Sequence, residues 1–303
     1  MAITGSDRIH PNMDPSDVAE IGRLADAARH RQPSATAELP RSARILFLLG
    51  GAFLLGALVP RLPLGRPASA EIRHDAETVW RDDHQRSPVP ADCPRGARTL
   101  LILGQSNAAN HGEGPRRSSK AVNFYNGRCY RARDPLLGGS GDRGSAWTRL
   151  ADRLAGPTVL APVAIGGSRM KEWSPGGRLF PRVQLALMQL EAAAIPPTHI
   201  LIVQGESEGN SREDPKAYEQ EAARLLAYLK RTGAAVYLAT ATRCLDAPNQ
   251  EIRTAQARAR DRTGTLAGPD MDALDNALRV NGCHFSAQGL DRAAAAWAKL
   301  ISG

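Results

Sequence analysis

Residues 101–112, LILGQSNAANHG, carry an apolar run that stops at a small-residue turn containing Ser106. A short apolar run closed by a turn is how a strand buried on both faces of a parallel sheet reads. Open α/β sheets present reactive groups to a crevice at the carboxyl ends of such strands. Ser106 stands at such an end, followed by small residues expected to open a helix, which is where a nucleophile is delivered. Serines in plain turns are common after buried strands, so the weight of Ser106 depends on the rest of the chain.

Working outward, strand-like runs recur at 98–103, 158–165, 199–204, 235–240 and 264–267, with helical patterns at 146–155, 181–194, 215–231, 248–262 and 286–301. Helix starts at Pro215, Pro248 and Ser286 carry the expected residue types. Strands alternating with helices of this length predict a parallel sheet covered on both faces. The expected fold is therefore α/β, a three-layer α/β/α sandwich around a central parallel sheet of about five strands, flavodoxin-like. Residues 113–147 read as a glycine-rich excursion, commonly a substrate-facing loop. No internal repeat is evident.

The hydrophobic fraction of 42% and charged fraction of 23% are those of a globular chain. The formal charge of +8 comes largely from arginine scattered among alanine, a surface that tolerates anionic polymers. No aromatic-interleaved basic stripe, helix-turn-helix spacing or zinc-finger pattern is seen, so nucleic acid is not expected as a partner. With no C-x-x-C spacing, no metal site is expected either.

Residues 45–59, ILFLLGGAFLLGALV, form an uninterrupted apolar run flanked by Arg41, Arg44, Arg61 and Arg66. Such a helix would be roughly 22 Å long, against about 30 Å for a bilayer core, and flanking residues add length. Export is the expected meaning, with a buried core helix as the alternative. The expected organisation is a mobile cytoplasmic tail over 1–44, a transmembrane anchor or signal sequence over 45–64, a linker over 65–94 and a catalytic domain over 95–303. The chain is expected to be membrane-anchored, with that domain in the periplasm or outside the cell. Cleavage after Ala68-Ser69-Ala70, giving a secreted protein, is the alternative. The arginine flanks are nearly balanced and do not set the orientation.

Cys93, Cys129, Cys244 and Cys283 all follow the apolar run. An even number confined to that part implies an oxidising compartment and up to two disulfides, in one of three connectivities. Cys244 with Cys283 is favoured, because both follow late strands at the same sheet edge, together with Cys93 and Cys129. Buried free thiols remain the alternative.

Three further blocks follow Ser106 in order: AIGGSRMKEW at 164–173, VQGESEG at 203–209 and NGCHFSAQG at 281–289. With GQSNAANHG at 104–112 they resemble the SGNH hydrolases, and within them the sialate O-acetylesterase and acetylxylan esterase branch. The resemblance spans roughly residue 98 to the C-terminus. It implies a carbohydrate O-acetyl esterase acting on an acetylated carbohydrate through an acyl-enzyme, with no metal or organic cofactor. By resemblance Ser106 is the nucleophile, His284 the general base, and Gly167 the second oxyanion N–H beside that of Ser106. The Gln204-Gly205-Glu206 sequence matches the branch. Gln204 is expected to donate to the oxyanion and Glu206 to hold the imidazole. Gln105, Asn107, Arg169 and Trp173 are assigned to the substrate. His111 is read as a substrate or structural contact and His199 as structural.

One position departs from many relatives, which place an aspartate three residues before the histidine: here it is Asn281. An asparagine orients an imidazole through its carbonyl but stabilises the imidazolium less than a carboxylate. The expectation is Glu206 with Asn281 assisting, the alternatives being Asp272 or Asp275 reaching in, or low activity. Two other functions stay open: a membrane-tethered carbohydrate-binding protein without turnover, and an esterase for longer acyl chains.

Overall fold

The computed structural model describes residues 88–302 apart from 212 and 246, all within one compact unit, 66–303. The apolar run 45–59, the tail before it and most of the linker lie outside the described residues. No helix among the described residues is long and apolar enough to cross a membrane.

Ten strands and seven α-helices alternate along the described chain. The strands are β1 (Pro90–Ala91), β2 (Arg98–Gly104), β3 (Arg117–Tyr125), β4 (Arg128–Arg133), β5 (Thr158–Ala164), β6 (His199–Val203), β7 (Ala235–Thr240), β8 (Leu266–Asp270), β9 (Arg279–Val280) and β10 (His284–Phe285). The helices are α1 (Ala146–Arg153), α2 (Met170–Trp173), α3 (Phe180–Ala192), α4 (Glu206–Ser211), α5 (Pro215–Lys230), α6 (Gln250–Thr263) and α7 (Ala287–Ile301). The main sheet runs β1-β4-β3-β5-β2-β6-β7-β8, and β9 pairs with β10 separately. From β3 to β8 the ladders are parallel; β4 and the short β1 extend one edge antiparallel.

The α/β sandwich expected from the sequence is present, but its sheet has eight strands. Two of the three extra strands come from residues 113–147, expected as a loop, and the third is β1. Residues 113–147 contain the hairpin β3–β4, whose strands follow an irregular burial pattern and a register shift between Arg117 and Val122. An irregular strand loses the period-2 signal on which recognition depends. The linker also ends earlier than expected, because Pro90 and Ala91 pair with β4 and Cys93 is bonded to Cys129.

Alternation along β2 divides the core between the two faces. Leu101 and Leu103 pack with Val183, Leu190, Leu226 and Ile252 of α3, α5 and α6. Leu100 and Ile102 pack with Trp147, Leu150, Leu290 and Trp297 of α1 and α7. All four β2 leucine and isoleucine side chains are no more than 1% exposed. Truncating any of them to alanine costs about 2–5 kcal/mol. This double-sided burial makes the carboxyl rim of β2 a fixed platform.

Candidate active site

The chain passes from β2 to β5 on one side, whereas β6 lies on the other and leads outward to β7. The carboxyl end of β2 is thus where the strand order reverses, the place at which open α/β sheets form a crevice. Ser106 sits there. Gly104 has φ +135° and a Cβ on it would lie 1.9 Å from the Val203 carbonyl oxygen, so only glycine lets β2 turn this close to β6.

The segment after Ser106 is a single 3₁₀ turn, Ser106–Ala108, and not the helix expected. Side chains hold it instead. Trp147 Nε1 donates to the Ala108 carbonyl at 2.7 Å, and Asn110 Nδ2 donates to the carbonyls of Leu136 and Gly139. Neither the Ser106 nor the Gly167 backbone N–H is bonded among the described residues. Gly167 has φ +72°, and nothing lies within 4 Å of a Cβ there, so its backbone borders open space.

His284 arrives on β10. Asn107 Nδ2 donates to the Cys283 carbonyl at 3.5 Å, so the immediate chain neighbours of Ser106 and His284 are bonded to each other. No hydrogen bond joins Ser106 to His284 among the described residues; catalytic contacts of this kind are often long before substrate arrives. Two further ties fix the histidine segment. Cys283 is disulfide-bonded to Cys244. Buried Arg279 donates to the carbonyls of Cys283, Met271, Leu274 and Arg243, with its guanidinium 4.5 Å from the Phe285 ring centre. The sequence carried no signal for this use of Arg279.

His111 stacks on His284 at 5.2 Å between ring centroids, and its Nε2 lies 3.0 Å from Ser140 Oγ, which accepts from the Gly166 N–H. Burial, then the neighbouring His284, pushes His111 down to about 4. Burial, with Arg143 and Arg279 nearby, holds His284 below its usual 6.5. Both rings are therefore neutral near pH 7, the form a general base needs.

Asn281, at φ +48°, lies beside the imidazole of His284. Its Oδ1 accepts from the His284 backbone N–H at 3.3 Å and its Nδ2 lies 3.4 Å from Nδ1. In that arrangement Nδ1 accepts and Nε2 carries the proton. Turning the amide over sets Oδ1 against Nδ1–H and frees Nε2 to accept.

Several expected site residues are placed elsewhere. Glu206 does not reach His284: its Oε1 accepts from Asn107 at 2.8 Å, its Oε2 is buried without a partner, and burial raises its pKa. Nor do the alternative acids: Asp272 accepts from Thr242, Arg243 and Arg253, and Asp275 from the Ala277 N–H. The Gln204 amide faces inward, donating to Ser168 O at 2.8 Å, Gln105 Oε1 at 3.0 Å and Glu208, so it is not aimed at an oxyanion. Gln105 is buried in the same network, accepting also from the Ser207 N–H. Trp173, expected to wall a sugar pocket, is 1% exposed and donates to Ser168 Oγ. Asn107 is occupied by Glu206 and Cys283. Arg169 alone of the four remains at the surface, 3.2 Å from Glu213. Gln204, Gln105, Ser168 and Trp173 are linked in a buried scaffold under the rim. His199 begins β6 at the far rim and bonds to Thr198 Oγ1.

The family model for carbohydrate esterases, sialic acid-specific acetylesterase, matches residues 145–302. The chain belongs to this family. That match contains Gly167, Gln204, Glu206, Asn281 and His284 and begins after Ser106. Among solved structures, a protein from Arabidopsis thaliana matches with TM-score 0.56 and 18% identity, over 67% of this chain and 96% of that one. The psychrotrophic esterase EstA of Pseudoalteromonas sp. matches at TM-score 0.47 and 16% identity, over 67% and 97% of the two chains. A carbohydrate acetylesterase from Xanthomonas citri matches at 0.45 and 15%, over 68% and 56%. A search among curated proteins returned no match.

Proposed function

We propose that this carbohydrate esterase removes O-acetyl groups from a glycan outside the cytoplasm, through an acyl-enzyme on Ser106. The observation that carries the reading is the Asn107 to Cys283 hydrogen bond, which sets the serine turn against the histidine strand. Ser106 Oγ attacks the acetyl carbonyl carbon while neutral His284, in the Nδ1–H tautomer set by the turned Asn281 amide, takes its proton at Nε2. The oxyanion is met by the unpaired N–H groups of Ser106 and Gly167, worth about 3–4 kcal/mol per donor in such sites. His284 then gives its proton to the departing sugar oxygen, and water activated by the same imidazole releases acetate. The two disulfides favour an oxidising compartment. Membrane attachment through residues 45–59 remains part of the proposal, as does the open choice of cleavage near Ala70.

Acetate release from acetylated xylan and hydrolysis of p-nitrophenyl acetate test it. Ser106→Ala and His284→Ala are each expected to lower kcat by on the order of 10³-fold or more with the fold intact. Undiminished turnover in Ser106→Ala would overturn the assignment. One finding favours a second reading, a glycan-binding protein without turnover: among the described residues no carboxylate touches His284. A wild-type chain that binds acetylated glycan and releases no acetate at any pH supports that reading. Faster cleavage of octanoate than acetate esters indicates a longer-acyl esterase.

A further inference from the structure

The hairpin β3–β4 carries a charge pattern that the catalytic rim does not use. From Arg116 to Arg133 there are Arg116, Arg117, Lys120, Arg128, Arg131 and Arg133, and no acidic residue. Arg117, Arg131 and Arg133 line one groove of about 820 Å³, together with Tyr130 and Asn123. These three arginines form no ion pair among the described residues. Asp134 also borders the groove, but its carboxylate accepts from Ser145, Thr148 and the Arg116 N–H and faces buried Arg149 at 3.8 Å, so its charge is engaged internally. Arg131 and Arg133 share one face of β4 with Arg117 opposite, and Tyr130 stands on the other face at the groove's border.

Register places the groove away from Ser106. Arg117 pairs with Arg133, and Ala121, further along the same strand, pairs with Thr158, where β5 begins. The Ser106 and Gly167 turns follow the opposite, carboxyl ends of β2 and β5. A groove at the far rim takes no part in acyl transfer and is free to hold another portion of a polymer.

We propose that this groove binds an acidic glycan chain, a polymer of carboxylate-bearing sugars. Three guanidinium forks spaced along a hairpin match a repeating series of planar carboxylates, each accepting two N–H donors. Tyr130 offers a flat apolar face to a pyranose ring, with its hydroxyl at the wet side. The choice of a glycan over other polyanions rests on the carbohydrate-esterase reading. The groove tethers the polymer so that acetylated units elsewhere along it are presented to Ser106 at raised effective concentration.

The test measures binding of polygalacturonate, neutral dextran, poly(dT) and anionic phosphatidylglycerol vesicles to the purified full chain in mild detergent. Each is compared with the variant Arg117→Gln/Arg131→Gln/Arg133→Gln and with Tyr130→Ala. Polygalacturonate is expected to bind, dextran not, and the triple variant to weaken polygalacturonate at least tenfold with a shallower salt dependence. Hydrolysis of p-nitrophenyl acetate should be unchanged in the triple variant, which also reports an intact fold. Should the triple variant misfold, Arg131→Glu alone gives the same comparison. Absent polygalacturonate binding, binding indifferent to the arginines, or arginine-dependent preference for poly(dT) or vesicles over polygalacturonate overturns the proposal. Binding is also read in Ser106→Ala, so failure of the esterase reading and failure of the groove are separate results.

Discussion

His284 meets three positive or dehydrating influences, burial, Arg143 and Arg279, and no carboxylate among the described residues. Its neutral form is therefore favoured, and the imidazolium formed during acyl transfer is poorly compensated. Two consequences follow. The acid limb of kcat/KM lies below pH 6.5, with activity rising as His284 loses its proton and then levelling. Asn281→Asp supplies acceptors only, which fixes Nδ1–H and stabilises the cation; it is expected to raise kcat on the order of tenfold and move the acid limb upward by roughly one pH unit. A pH profile of p-nitrophenyl acetate hydrolysis decides it, and an unmoved limb shows that Asn281 does not govern the imidazole. Beneath the rim, burial pushes Glu208 up to about 7 from its usual 4.5. The folded chain holds that proton more tightly than the unfolded chain, so this contribution is fully present below pH 4.5 and is lost as pH rises through 7. The loss is on the order of 1–3 kcal/mol. Glu208→Gln should flatten the fall in stability between pH 5 and pH 8 in urea unfolding. Residue types at the rim were legible because glycines at close approaches and a serine after an apolar run have few substitutes. Orientation was not: that Gln204, Gln105 and Trp173 point inward follows from packing between α2, α4 and β2, to which the linear order gives no clue.

At the scale of elements, the two disulfides close loops of similar length, 36 and 39 residues apart in sequence, yet they restrain different things. Cys93–Cys129 ties β1 and its approach to the hairpin. Cys244–Cys283 ties the loop after β7 to the residue before His284. By chain entropy each contributes about 2–4 kcal/mol. Cys93→Ser/Cys129→Ser should therefore lower Tm and leave kcat unchanged, whereas Cys244→Ser/Cys283→Ser should lower Tm similarly and reduce kcat as well. Equal kcat for the two pairs would show that Arg279 and Asn107 suffice to hold the histidine strand. The parallel strands β2, β5, β6 and β7 and the helices α3, α5, α6 and α7 were legible within a few residues, since their apolar runs and capping residues are unbroken. The hairpin was not. Its strands are interrupted by a register shift, and only Asn126-Gly127 between them, both at positive φ, carried the local turn signal that could have found it.

The whole molecule is a parallel block with a reversal of strand order beside β2 and an antiparallel extension at one edge, and the two parts serve different ends. The parallel block, buried on both faces, fixes the Ser106 rim; the extension carries the basic groove and leaves β4 as a nearly open edge, covered among the described residues only by the two residues of β1. An uncovered edge invites pairing with other chains. The boundary of the folded unit therefore matters more than its length suggests. A fragment beginning at Pro88 keeps β1 and the Cys93–Cys129 bond; one beginning at Arg95 loses both and leaves Cys129 unpaired. The longer fragment is expected to stay monomeric and to hydrolyse p-nitrophenyl acetate like the full chain. The shorter one should melt at lower temperature, by several degrees for the roughly 2–4 kcal/mol lost, and should form disulfide-linked dimers on non-reducing gels. Because the site sits on the parallel block, its kcat below the melting range should match that of the longer fragment. A shorter fragment with unchanged Tm and no dimer would show that β1 adds nothing to the sheet, while a fall in kcat would show that the extension and the catalytic rim are mechanically coupled.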